Sequence, residues 1–149
     1  MNVDELVIDT YRPADEAGMI ALWQQCGLVV PWNNPLADIA RKTADSPELF
    51  FTGRVEGRLV ASCMAGYDGH RGWIYYLAVL PEWRRHGLAA RLVAHAEGRL
   101  AQLGCPKVDL MVRESNAEVI AFYRSIGYGP DPVRVMSKRL REDDSHDFA

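Results

Sequence analysis

An α/β (α+β) fold, a single sheet covered by helices on both faces, is predicted from three features of the sequence. β-rich runs alternate with segments of helical periodicity, a β-hairpin interrupts that order near the middle, and Gly, Pro or Asn separates most runs from the next. A length of 149 residues, 48% hydrophobic and 25% charged, suits one core rather than two. Residues 1–140 are therefore expected to form one domain, and 141–149, with Glu142-Asp143-Asp144 and little apolar surface, an acidic, solvated and flexible tail.

The first strand is expected over Leu6 to Tyr11, where Val7 to Thr10 is mostly β-favouring. Arg12-Pro13-Ala14-Asp15 then breaks into a helix carrying Ile20, Leu22, Trp23 and Cys26, ended by Gly27. The turn-rich Val30-Pro31-Trp32-Asn33-Asn34-Pro35 leads into a short helix with Leu36, Ile39 and Ala40, closing near Ala44 before Ser46-Pro47. Phe50 to Val55 and Leu59 to about Tyr67 flank Glu56-Gly57, which reads as a two-residue hairpin turn. Trp73 to Val79 is aromatic, β-branched and uncharged, as a central strand should be.

After Pro81 the period changes. Leu88, Leu92, Ala96 and Leu100 recur every four residues, with Ala89, Val93 and Leu103 widening the stripe, so a helix packs on the sheet until Gly104 and Pro106 stop it. Val108, Leu110 and Val112 alternate as the next strand. Asn116 is a good N-cap for a helix from Ala117 to Ile126, Gly127 ends it, and a last strand is expected at Val133 to Leu140.

Several function classes lose support. A net charge of -3 with no Lys/Arg stripe gives no pull toward nucleic acid. The N-terminal Met1-Asn2-Val3-Asp4-Glu5 is acidic and no run of about 18 apolar residues follows, so neither a leader nor a membrane span is expected. Three cysteines without a CxxC pair fit core packing in a reducing, cytoplasmic setting. His70, His86, His95 and His146 have no ligand spacing around them, so no metal is expected. Neither Ser62 nor Ser115 sits in a nucleophile-elbow sequence.

Between the strong strand and the long helix lies Leu80-Pro81-Glu82-Trp83-Arg84-Arg85-His86-Gly87-Leu88-Ala89-Ala90. The first turn of a helix carries N–H groups without intrahelical acceptors and the positive end of the macrodipole, which suits a phosphate. Gly87 admits close approach, Ala89 and Ala90 stay small, and Arg84 and Arg85 add charge. The letters match neither a Walker A loop nor a Rossmann fingerprint. Taken alone they also suit a merely structural turn.

Arg84-x-x-Gly87-x-Ala89 resembles the (Gln/Arg)-x-x-Gly-x-(Gly/Ala) signature of the GNAT superfamily of N-acetyltransferases, and Leu77-x-Val79-x-Pro81 stands where that family has Leu-x-Val-x-Pro. The likeness runs from about Trp73 through Tyr128 and fits the earlier element order; within the superfamily the chain looks closest to small bacterial YpeA-like members. It implies a mixed, mostly antiparallel sheet with a splay between strands 4 and 5. It also implies acetyl-CoA as acyl donor, with its pyrophosphate on Arg84, Arg85, His86, Gly87, Leu88, Ala89 and Ala90. The pantetheine arm would run beside Leu77, Ala78 and Val79, and an N–H near Ala78 or Val79 would polarise the thioester oxygen.

Asn116 and Tyr123 are seven residues apart, nearly two whole turns, so they share a helix face about 10 Å apart. The resemblance assigns Asn116 to the pantetheine arm and Tyr123 to the thiol end, as general acid for the departing thiolate. The implied activity is direct acetyl transfer to a primary amine of a small molecule or a peptide, in a ternary complex. A noncatalytic acyl-CoA-binding or sensor module is the alternative.

The amine must lose a proton to attack. Many family members carry a glutamate two residues before the Leu of Leu-x-Val, where this chain has Tyr75. Glu114, just past the fifth strand, is the base candidate; Glu82, Asp109 and a water chain from Tyr75 or Tyr76 are the others. Trp32, Asn33 and Asn34 fall in the acceptor-facing region by analogy. The acceptor's identity and the choice between single chain and homodimer stay open.

Overall fold

The computed structural model describes residues 5–149; most of the acidic start of the chain lies outside the described residues. In order, the elements are β1 (Val7–Thr10), α1 (Glu16–Gln25), α2 (Pro35–Asp45), β2 (Phe50–Val55), β3 (Arg58–Tyr67), β4 (Gly72–Val79), α3 (Leu88–Gln102), β5 (Val108–Leu110) and α4 (Ala117–Ser125). The five strands lie in sequence order in one mixed sheet; β1 through β4 pair antiparallel and β4 with β5 parallel.

Side-chain alternation along β2 shows how the sheet takes helices on both faces. Phe50 stacks on Trp23 of α1 (ring centroids 6.1 Å apart), whereas its neighbour Phe51 meets His95 of α3 edge-on at 4.8 Å. The expected stripe of α3 is buried at Leu88, Leu92, Val93, Ala96 and Leu100, and each fully buried leucine contributes about 2 kcal/mol. Leu103 does not join it: it forms the C-cap and is exposed. The β2–β3 hairpin turns through Glu56 and Gly57, both at positive φ, as a tight two-residue turn requires. Where α3 ends against β4, a Cβ on Gly72 would lie 2.9 Å from Cys105 Sγ, so glycine alone fits that approach.

Two irregularities of β4 shape the molecule. Opposite β3 the register shifts between Ser62 and Met64, so β4 carries one extra residue, and Tyr76 adopts φ 48 there. Ser62 Oγ donates to the Tyr76 carbonyl (2.8 Å) and accepts from Trp23 Nε1 (3.1 Å), and the Tyr76 ring stacks on Trp23 at 3.9 Å. On its other edge β4 pairs with β5 only from Gly72 to Ile74, leaving Tyr75 to Val79 without a strand partner on that side among the described residues. The splay implied by the family resemblance is therefore present, with a bulge in the same strand.

The C-terminal region departs from expectation. β5 stops at Leu110, and 133–140 forms no strand, with Val133, Val135, Leu140 and especially Met136 (91% exposed) facing outward. The segment finds no ladder partner among the described residues, and a strand needs paired N–H and C=O groups as well as a β-favouring sequence; just before it, Lys107 Nζ meets Asp131 Oδ2 at 2.6 Å. The segment 141–149, expected as a solvated tail, lies against the body. Asp143 and Asp144 bond Asn34, His146 Nε2 meets the Val30 carbonyl at 2.9 Å, and the Phe148 carbonyl accepts from Gln24 Nε2 at 3.0 Å.

Candidate active site

The splay opens a cleft of about 700 Å3, within the size range of small-molecule sites. Leu77 from β4, Met111 and Arg113 beyond β5, and Asn116 and Tyr123 of α4 line it on one side. Residues of the α1–α2 loop and of α2, among them Trp32, Asn33, Asp38 and Arg41, line it on the other.

Asn116 caps α4 as its residue type predicts: Oδ1 accepts from Val119 N–H at 3.2 Å. The oxygen is thereby engaged, and the amide Nδ2 remains as a donor on a residue that lines the cleft. Tyr123 is 8% exposed and packed edge-on against Phe122 and Tyr128. Burial, and to a lesser degree the nearby Cys63, pushes its phenol above the ordinary tyrosine range, so it holds its proton. Cys63 is itself buried and pushed up to about 12, which makes it a packed thiol rather than a nucleophile.

The Arg84–Ala90 turn lies at the far end of β4 and does not line the cleft. Its first intrahelical bond runs from Arg91 N–H to the Gly87 carbonyl (3.2 Å), so Leu88, Ala89 and Ala90 present the unpaired N–H groups of a helix start. Gly87 caps the helix at φ 77 with open space where a Cβ would stand, so conformation rather than crowding selects glycine. Arg85 and His86 are exposed. Arg84 turns back, its Nε donating to the Val79 carbonyl at 3.0 Å, where Cys26 Sγ also donates at 3.4 Å. The arginine thus braces the end of β4. Ala78 and Val79 are buried beyond the cleft lining.

The carboxylates considered as bases are spread out. Glu82 is ion-paired with Arg58 (2.8 Å), and Asp109 with Lys107 (3.6 Å). Glu114 is exposed on the loop before α4 and does not line the cleft. Tyr75 and Tyr76 do line it. The Tyr76 hydroxyl donates to Asp38 Oδ2 at 2.5 Å, and burial first, then this bond, raises the phenol's pKa. Arg41 Nη2 donates to the other Asp38 oxygen at 2.6 Å. Asp38 is the cleft carboxylate that sequence reasoning missed; in sequence it is only a first-turn acid three residues before an arginine, an ordinary helix-surface pair. Lys42 is tied to Ser46 Oγ (2.7 Å) and the Ala65 carbonyl, and burial lowers its pKa.

The fold recurs in solved structures. Ard1 from Thermoplasma volcanium superposes with a TM-score of 0.74 at 25% identity, over 83% of this chain and 82% of that one. The structure of AAC(6')-Iy with a CoA-linked bisubstrate analogue shares the fold, with a TM-score of 0.73 at 18% identity over 91% and 98%. Residues 7–128 match the profile of the acetyltransferase (GNAT) family, and the chain belongs to that family. Among curated relatives, an acetyltransferase of Pectobacterium atrosepticum is 45% identical over 91% of this chain and 96% of its own length. One of Sodalis glossinidius is 44% identical over 93% and 99%.

Among the described residues no helix is long and apolar enough to cross a membrane, and no group of three or more His, Cys, Asp or Glu is placed to hold a metal.

Proposed function

We propose that this chain transfers the acetyl group of acetyl-CoA to a primary amine, with both reactants bound together, and that Tyr123 protonates the leaving sulfur. The observation that carries the reading is the buried, protonated Tyr123 on a cleft opened by the splay of β4 from β5. Family membership supports acetyl-CoA as the donor. The residues present fit it: three unpaired N–H groups at the start of α3, with Arg85 beside them, suit a pyrophosphate.

Acetyl-CoA supplies a thioester carbon open to attack by a neutral amine. Leu88, Ala89, Ala90 and Arg85 would hold the phosphates, with Gly87 setting the turn and His86 beside it. Leu77 to Val79 would run beside the pantetheine arm, and a β4 N–H freed by the splay would stabilise charge on the thioester oxygen. Asn116 would donate from Nδ2 to the arm. Tyr123 would give its proton to sulfur; from reference pKa values near 10 and 8.5 that transfer is uphill by about 2 kcal/mol. The raised phenol enlarges this difference, so a hydrogen bond that strengthens as sulfur departs describes the step better than full transfer before it. For the amine's proton we favour Asp38, or water held by Tyr75 or Tyr76, over Glu114, because those residues line the cleft and Glu114 does not.

A thiol-release assay over panels of small amines and peptides tests the reading. Release that depends on the amine and matches acetylated product is expected. Tight acetyl-CoA binding with no transfer to any amine would favour a noncatalytic acyl-CoA-binding module instead.

A further inference from the structure

The wall of the cleft facing Tyr123 is held by residues more than a hundred positions away. Asp143, whose side chain is 8% exposed, accepts from Arg41 through both oxygens: Nη1 to Oδ1 at 2.9 Å and Nη2 to Oδ2 at 3.1 Å. Its Oδ2 also accepts the Asn34 N–H at 2.9 Å. Arg41 passes the constraint to Asp38, and Asp38 to the Tyr76 hydroxyl at the β4 bulge. On either side of Asp143, Arg139 Nη2 donates to Asn33 Oδ1 (3.0 Å), and the Asp144 carbonyl accepts from Asn34 Nδ2 (3.2 Å). Arg41 and Asn34 hold the Asp143 carboxyl down at about 2, so it stays ionised at any ordinary pH.

Resting on the acetyl-transfer reading, we infer that Asp143 is a positioning and specificity-determining residue for the acceptor. It fixes the loop and the α2 face against which the amine is placed, and it masks the charge of Arg41. With Asp143 present, Asp38, Arg41 and Asp143 sum to one negative charge on this wall, which offsets part of the positive charge of Lys42 and Arg113 elsewhere in the cleft lining and so eases entry of a cationic acceptor. With Asn in its place the sum is zero, and Arg41 is freed on one side to repel a cation. A bidentate arginine–carboxylate pair is geometrically exacting, so glutamate should restore the charge and only part of the geometry.

The test compares full-length wild type, Asp143→Asn and Asp143→Glu, using the best cationic amine found in the panel, a neutral amine, and hydrogen exchange at the Asn34 amide. For Asp143→Asn the expectation is about a 10-fold rise in KM for the cationic amine. The neutral amine should lose less, KM for acetyl-CoA should hold, and Asn34 exchange should quicken; Asp143→Glu should fall between. Faster Asn34 exchange with both amine KM values unchanged would overturn the inference, leaving Asp143 a structural tie. So would unchanged exchange, because the segment would then not hold the loop. Wild-type protein without amine-dependent thiol release would instead sink the acetyl-transfer reading, and this inference with it.

Discussion

The two sides of the cleft are built by different means. The side of Asn116 and Tyr123, with the Arg84–Ala90 turn beyond it, rests on helix starts: an asparagine cap, a left-handed glycine and unpaired N–H groups. Its parts sit within a few residues of the element that positions them. The opposite side is a wall of side chains, Asn33, Asn34, Asp38 and Arg41, braced by Arg139, Asp143 and Asp144 from the other end of the chain. Backbone geometry at a helix end binds phosphate whatever the side chains do, whereas a side-chain wall is specific to its occupant. On the proposed reading the first side would take the donor and the second the acceptor.

Substitutions on the helix-start side should separate chemistry from binding. For Tyr123→Phe, kcat should fall by at least about 100-fold, with acetyl-CoA affinity by calorimetry unchanged within about 2-fold. An unchanged kcat would remove Tyr123 from the acid role and erase the contrast between the two sides. Gly87→Val should weaken acetyl-CoA binding by about 10-fold, because a β-branched residue at φ 77 costs about 1–2 kcal/mol in a turn that must keep that shape. Wild-type affinity there would mean that the turn does not hold the donor.

A smaller effect concerns pH. The folded-state pKa of Tyr123 is raised, so the protonated donor persists above the ordinary value near 10, and kcat should show no loss from its ionisation up to about pH 10. The same shift makes Tyr123 stabilise the fold fully below its unfolded value, a contribution lost as pH rises through the raised one. A basic limb of kcat centred near pH 8 that vanishes in Tyr123→Phe would contradict the assignment.

The sequence made the helix-start side legible because local rules govern it. Asn116 announced a cap and the four-residue recurrence of Leu88, Leu92, Ala96 and Leu100 a buried face, and both stand in the fold; Gly87 read as a point of close approach, whereas the fold uses it for a left-handed turn. The splay was legible only through family resemblance. No local rule places a bulge at Tyr76; it depends on Ser62, Trp23 and Asp38, brought together by the sheet and two helices. A last strand is expected at Val133 to Leu140, yet a strand needs a paired neighbour as well as a β-favouring sequence, and 133–140 stays unpaired. The acidic run near the C-terminus read as solvated because its partners, Asn34 and Arg41, lie about a hundred residues away in sequence.

The claim that two differently built sides meet across one cleft is tested most directly by initial rates of thiol release with acetyl-CoA and amine both varied. If both reactants sit in the cleft together, double-reciprocal lines intersect, and no burst of thiol appears when amine is withheld. Parallel lines with a stoichiometric burst would contradict this, because the acetyl group would then pass first to the protein and donor and acceptor would never share the cleft.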